Sequence, residues 1–230
     1  MQTDSVWQAV DTGATIHRAQ YRADMGAPYC ALIKLTEESF LVYSPGRGLV
    51  ESARHLLPAD PQLLLLAPAA GHTLGLEEWK SAYLKTRVIA SDFTNERLRV
   101  KTSINGAQHP DSLANGLPDH VRIHVLPDNS LGEVWVSVET EEAGGTVYWL
   151  VCDSFMNLAT LDGSPILRIL MKLYGLGIGL QVHKVFKRGV NSKHSMIGRC
   201  NTSPMTSVMF CCPAMARFTI TKIFQSGWLI

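Results

Sequence analysis

Apolar residues occur in short runs separated by turn-forming clusters, and the period of each run predicts an element. Residues 29–35 (YCALIKL) and 40–43 (FLVY) read as strands on either side of a polar turn at 36–39. The string SPGRG at 44–48 ends that hairpin, and the apolar spacing of 49–57 suits a short helix. Residues 63–67 (LLLLA) are continuously apolar and short, the pattern of a strand buried on both faces. A turn at 68–72 (PAAGH) leads into a helix from Leu76 through Tyr83, with Glu77 and Glu78 in its first turn, where the helix dipole favours carboxylates. Residues 87–90 form the next strand of a β-α-β unit.

The second half has a different texture. Residues 106–119, rich in Gly, Pro, Asn and Asp, predict a loop. Segments 121–126, 133–139 and 146–151 alternate or run apolar between turn signals, which predicts an antiparallel meander. Pro165 sits where a helix would begin, 208–211 reads as a last strand, and 219–230 as a terminal helix. The fold class is mixed α/β, with a parallel unit first and a meander second.

Composition narrows the class. With 46% hydrophobic and 18% charged residues in 230, the chain can bury a sizeable core, and residues 1–230 are read as a single domain. No apolar run reaches the roughly 18 residues of a membrane span. The best candidate, 165–182, contains Arg168 and Lys172. The start MQTDSVWQAV has neither a basic region nor an apolar signal core, so a soluble, cytoplasmic protein is expected. Five cysteines without a CxxC pair predict reduced thiols rather than a disulfide framework.

Charge is unevenly distributed. From Val151 onward, nine Lys/Arg face only Asp153 and Asp162, a net of +7, whereas the first 150 residues carry 12 Lys/Arg against 18 Asp/Glu, a net of −6. The cluster Lys184, Lys187, Arg188 and Lys193 suits a phosphate-bearing partner, but packing of the basic part beside the acidic part of the same domain is the favoured expectation. Without an RNA-binding signature or interleaved aromatics the cluster does not suggest nucleic acid. The stripe Leu167, Leu170, Met171 and Tyr174 has core-facing spacing, and Ile166, Ile169 and Leu173 on the other faces suggest a buried or homodimeric setting.

Local catalytic motifs are absent. The eight histidines form no HxH and no HExxH, and there is no GxSxG, GxxxxGK or GxGxxG. His120 and His124 are the only close pair, and on a strand they would stand about 13 Å apart, too far for one ion.

The order of the segments nevertheless resembles the metallo-β-lactamase superfamily, in particular a divergent lactamase-like branch, over roughly residues 28–220. ALIKLTEESFLVYSPG stands where the family has a strand ending in Asp-Thr-Gly. LLLLAPAAGHTLGL stands at the HxHxDH motif, and LPDNSLGEVWV at the Pro-Gly-His-Thr-x-Gly turn. YWLVCDSF matches the strand ending in Gly-Asp, and VMFCCPAMARF the strand ending in Pro-x-His-Gly. The resemblance implies a four-layer αββα sandwich.

It also implies a degenerate metal site. The ligands of HxHxDH fall on Ala67, Ala69, Gly71 and His72, the next histidine on Asn129, the bridging aspartate on Asp153 and the final histidine on Met215. Catalytic zinc needs about three protein ligands and an open position, and His72 with Asp153 supplies two. The resemblance therefore implies a non-catalytic domain binding a small molecule or protein partner in the former cleft. The alternative is a metal-dependent hydrolase with a rebuilt site, holding a divalent metal such as zinc. Replacement ligands would come from Cys152, Cys211, Cys212 or His124, with Asn129 and Met215 as further cleft residues. Strand alternation argues against Cys152 joining Asp153, because adjacent side chains on a strand point to opposite faces.

Overall fold

A computed structural model describes residues 6–23, 27–113, 116–126, 131–141, 145–158, 169, 179–182 and 207–210. The strand Gln62–Ala67 explains its layering. Leu63, Leu65 and Ala67 enter one buried cluster and Leu64 and Leu66 another, so the strand is covered on both faces, as its unbroken apolar run predicts. Each fully buried leucine contributes about 1.5–3 kcal/mol relative to exposure.

The elements follow in chain order. Strands β1 (Gln8–Ala9), β2 (Ile16–Gln20), β3 (Tyr29–Lys34) and β4 (Ser39–Tyr43) precede a short helix α1 (Val50–Ala53), which continues as a 3-10 turn, Arg54–Leu56. Then come β5 (Gln62–Ala67), α2 (Leu76–Ala82), β6 (Thr86–Ala90) and α3 (Asp92–Lys101), followed by a 3-10 turn at Pro110–Leu113. The second half has β7 (Val121–Val125), β8 (Val134–Thr140), β9 (Thr146–Val151), β10 (Phe155–Leu158), β11 (Gly179–Val182) and β12 (Ser207–Phe210).

Among the described residues, β1 to β6 form a six-stranded sheet in sequence order, and β12-β9-β8-β7 form a four-stranded one. β4, β5 and β6 are parallel, which is the expected β-α-β unit, and β7, β8 and β9 are the expected antiparallel meander, with β12 parallel to β9. Two cores result. Trp7, Leu32, Leu65, Trp79 and Leu98 fill the space between the first sheet and its helices. Ile33, Leu41, Leu66, Val136, Val138 and Leu150 fill the space between the sheets. Among the described residues that order, helices then sheet then sheet, gives three layers. The helix expected from Pro165, which would start the fourth, lies outside the described residues apart from the exposed Ile169, as do the basic cluster at 184–193 and the terminal helix at 219–230.

Sequence reasoning missed β1, β2, α3, β10 and β11. In β2 (IHRAQ) only Ile16 and Ala19 are buried, so the apolar signal is thin. Helix α3 (DFTNERLRVK) is mostly polar and buries only Thr94 and Leu98. Its start is set by Ser91, whose hydroxyl accepts from the Thr94 N–H as an N-cap. Among the described residues no helix is long and apolar enough to cross a membrane.

Candidate metal centre

Parallel strands end at the same edge, so the loops after β4 and β5 meet there. Ser44 follows β4 directly with φ of 54°, a left-handed conformation that costs a non-glycine residue of order 1–3 kcal/mol. The loop behind it is fastened to α2. The Trp79 indole N–H donates to the Gly46 carbonyl at 3.0 Å, and the Gly48 N–H donates to Glu78 at 2.8 Å. After β5 the chain turns at Ala69, whose carbonyl accepts from the His72 N–H at 3.0 Å. This turn presents the imidazole of His72 beside Ser44.

The result is a series of hydrogen bonds. Tyr21 Oη lies 3.0 Å from Ser44 Oγ, Ser44 Oγ lies 3.1 Å from His72 Nδ1, and His72 Nε2 lies 3.2 Å from Asp153 Oδ1. Although the order Ser-His-Asp matches a nucleophilic triad, Ser44 is fully buried and its oxygen is already engaged by Tyr21, so it cannot attack a substrate. Its role is to orient the ring, leaving Nε2 to face Asp153. The two side chains are 11% and 34% exposed, so the site opens to solvent on the aspartate side.

Cys152 completes the group. The ligand atoms of His72, Cys152 and Asp153 all lie within 4.8 Å of one another. This corrects the expectation that strand alternation keeps Cys152 away from Asp153. β9 ends at Val151, and Cys152 and Asp153 lie in the turn before β10, where the two-residue period no longer applies. The backbone there is held by a side chain instead. Glu133, just before β8, is fully buried, and its Oε1 accepts from the Cys152 N–H at 3.0 Å, from the Trp135 indole N–H at 2.9 Å and from the Ser154 hydroxyl. Its Oε2 is buried without a partner. Burial pushes the Glu133 carboxyl up to about 7; the nearby Asp153 charge adds to the rise, and the three donors oppose it.

His124 is not part of this group. It lies on β7 with Nε2 2.8 Å from Ser137 Oγ, and its ring stacks on Trp149 at 4.8 Å. Asn129, Cys211, Cys212 and Met215 lie outside the described residues. Cys30 and Cys152 are both buried, Cys30 is a free thiol as the cysteine pattern predicts, and burial pushes that thiol up to about 12. Ala67 and Ala69 are buried and Gly71 is exposed, so three positions of the first motif offer no ligand.

Ser44, Tyr21 and Glu133 were not anticipated as site residues. Ser44 had a signal in the sequence, because SPG follows an apolar strand where the resembled family carries Asp-Thr-Gly. For Glu133 the signal is an acidic residue opening an apolar strand, two positions before Trp135 and so on the same face.

No protein-family model matches the sequence, and no curated protein matches it either. Solved structures do. A metallo-β-lactamase from Pontibacter korlensis is similar over 90% of this chain and 92% of its own, at TM-score 0.51 and 9% identity. A putative diflavin flavoprotein A 5 fragment from Nostoc sp. PCC 7120 is similar over 89% and 88%, at TM-score 0.55 and 6% identity. The Rm3 metallo-β-lactamase is similar over 86% and 76%, at TM-score 0.50 and 11% identity. The chain therefore has the metallo-β-lactamase fold. It is a divergent example, recognisable in three dimensions at identities of 6–11%.

Proposed function

We propose that this protein is a metal-dependent hydrolase of the lactamase type with a rebuilt site for one divalent ion, held by His72, Cys152 and Asp153. One observation carries the reading: these three donors converge within 4.8 Å. Imidazole, thiolate and carboxylate are the ligand types of zinc, and three protein ligands with one open position is the arrangement of catalytic zinc. When bound, zinc supplies Lewis acidity and makes water acidic enough to react near neutral pH. The protein's own residues do the rest. Ser44 holds His72 through Nδ1, so that Nε2 is the nitrogen offered to the ion, and Tyr21 holds Ser44. Asp153, the most exposed of the three, sits at the solvent side. Ala67, Ala69 and Gly71 supply no second ion site, which supports a mononuclear centre.

Those same three positions favour a second reading, a non-catalytic domain that binds a small molecule or protein in the cleft. Elemental analysis after exposure to zinc, iron and manganese separates the two, with His72→Ala, Cys152→Ser and Asp153→Ala as comparisons. One equivalent of zinc in the parent, lost in each variant, together with zinc-dependent cleavage of lactam or ester substrates, is the expected result. One equivalent of zinc without turnover would favour the non-catalytic domain. No bound metal, with all variants folded, would overturn the metal site altogether.

A further inference from the structure

Glu133 lies where the two halves of the sandwich are joined, and its neighbours show how. On one side, the Gly132 carbonyl accepts from Ser91 Oγ at 2.7 Å and from Thr94 Oγ1 at 3.4 Å, both at the start of α3. On the other, the Val134 N–H donates to the Pro68 carbonyl at 2.8 Å, and the Val134 carbonyl accepts from the Tyr43 hydroxyl at 3.1 Å. Residues 132 and 134 are thus tied to the half of the molecule that carries Ser44 and His72. The side chain between them reaches the other way. It accepts from Cys152 and Ser154, the residues flanking Asp153, and from Trp135.

We propose that Glu133 is the positioning residue of the metal centre, setting the Cys152–Ser154 turn against His72 so that ligands from the two sheets meet. This rests on the metal-site reading for its consequence, but the alignment itself exists without metal. A buried carboxylate is an expensive way to fasten a turn, since burying a charge or an unpaired polar oxygen is unfavourable. Its Oε2 has no partner, and among the described residues two of the three donors to Oε1, the Cys152 N–H and the Ser154 hydroxyl, belong to this turn, the third being the Trp135 indole beside it. Supporting groups of this kind typically change metal affinity 10–100-fold when removed.

Two variants and two readouts test the assignment. Glu133→Gln keeps an acceptor oxygen of the same reach, and Glu133→Val removes it. In metal-free protein, the nitrogen resonances of the His72 imidazole report its bond to Asp153. They should stay in place in Glu133→Gln and move in Glu133→Val. Titration with Co(II) then reads the ligand set. Glu133→Gln should bind as the parent does, whereas Glu133→Val should bind at least about 10-fold more weakly and lose thiolate-to-cobalt absorption. If Glu133→Val does not fold, Ser154→Ala, which removes one donor, should still move the His72 resonances. Unchanged His72 resonances and Co(II) affinity in folded Glu133→Val, or unchanged His72 resonances in Ser154→Ala where that variant decides, would overturn the proposal. A parent that takes up no Co(II), with His72 resonances that still depend on Glu133, would overturn the metal reading and leave the positioning role intact.

Discussion

Replacing Gly132 by alanine should weaken the junction between the two halves of the fold. Gly132 has φ of 63°, and a Cβ there would come 2.6 Å from Ser91 Oγ and 3.0 Å from Phe93 Cβ. The left-handed backbone costs alanine about 1–2 kcal/mol, partly offset by about 0.4–1 kcal/mol from the reduced freedom of the unfolded chain. The steric term is larger. Ser91 Oγ must move, which gives up its bond to the Gly132 carbonyl, about 0.5–1.5 kcal/mol, and weakens its N-cap on α3, about 1 kcal/mol. The sum is a loss of about 2–4 kcal/mol. Gly71→Ala is the control, because its backbone has no positive φ and a Cβ there meets nothing within 4 Å, although it adjoins His72. In urea, with a slope of about 2–3 kcal/mol per molar, Gly132→Ala should lower the midpoint by about 1 M, while Gly71→Ala leaves it in place. Equal midpoints for the two variants would refute the account of the junction.

Two other perturbations probe the first core and its edge. Trp79 is fully buried, packs against Trp7 and Tyr83, and donates to Gly46. Trp79→Ala should cost about 3–5 kcal/mol, lowering the thermal midpoint by about 10 °C for a chain of this size, and a drop below about 3 °C would contradict that packing. Glu77 accepts from the N–H and hydroxyl of Ser103 at 2.7 and 2.6 Å, and these bonds hold its carboxyl below the usual range. A depressed value in the folded state means that the contribution is present above the unfolded carboxyl's value and is lost as pH falls through the folded one. The stability difference between the parent and Glu77→Gln should therefore shrink on acidification from pH 6 to pH 3, and a constant difference would show that the bonds do not favour the ionised carboxyl.

Much of the fold was legible because its signals are local. The run at 63–67 announces a strand buried on both faces, and β5 is one, with β4 and β6 parallel on either side. The meander was legible from turn residues between apolar segments, and β7, β8 and β9 follow it within a residue or two. What escaped has weak periodicity. β2 is held by its pairing with β3 rather than by an apolar face of its own, and α3 by its cap and two buried side chains. β2 depends on a partner strand beyond the next loop, and the start of α3, although its cap Ser91 is local, is also bonded to Gly132 about forty residues on, which no local window contains.

The candidate site was half legible, and the misplacing of Cys152 has a single physical cause. His72 and Asp153 were found from motif positions, and the structure places them 3.2 Å apart across 81 residues of chain. Cys152 was set aside by a rule that holds only while the strand lasts. The ladder ends at Val151, and one residue further on the backbone follows Glu133 instead of a neighbouring strand. A buried acceptor can reorient a turn because every N–H removed from water must find a partner, and the Cys152 N–H finds it in a side chain from the next strand over. The candidate site proposed above thus combines His72 and Asp153 with a turn that brings a thiol to them. Which residues can serve as ligands here depends less on the motif than on where the ladder stops and on what holds the chain beyond it.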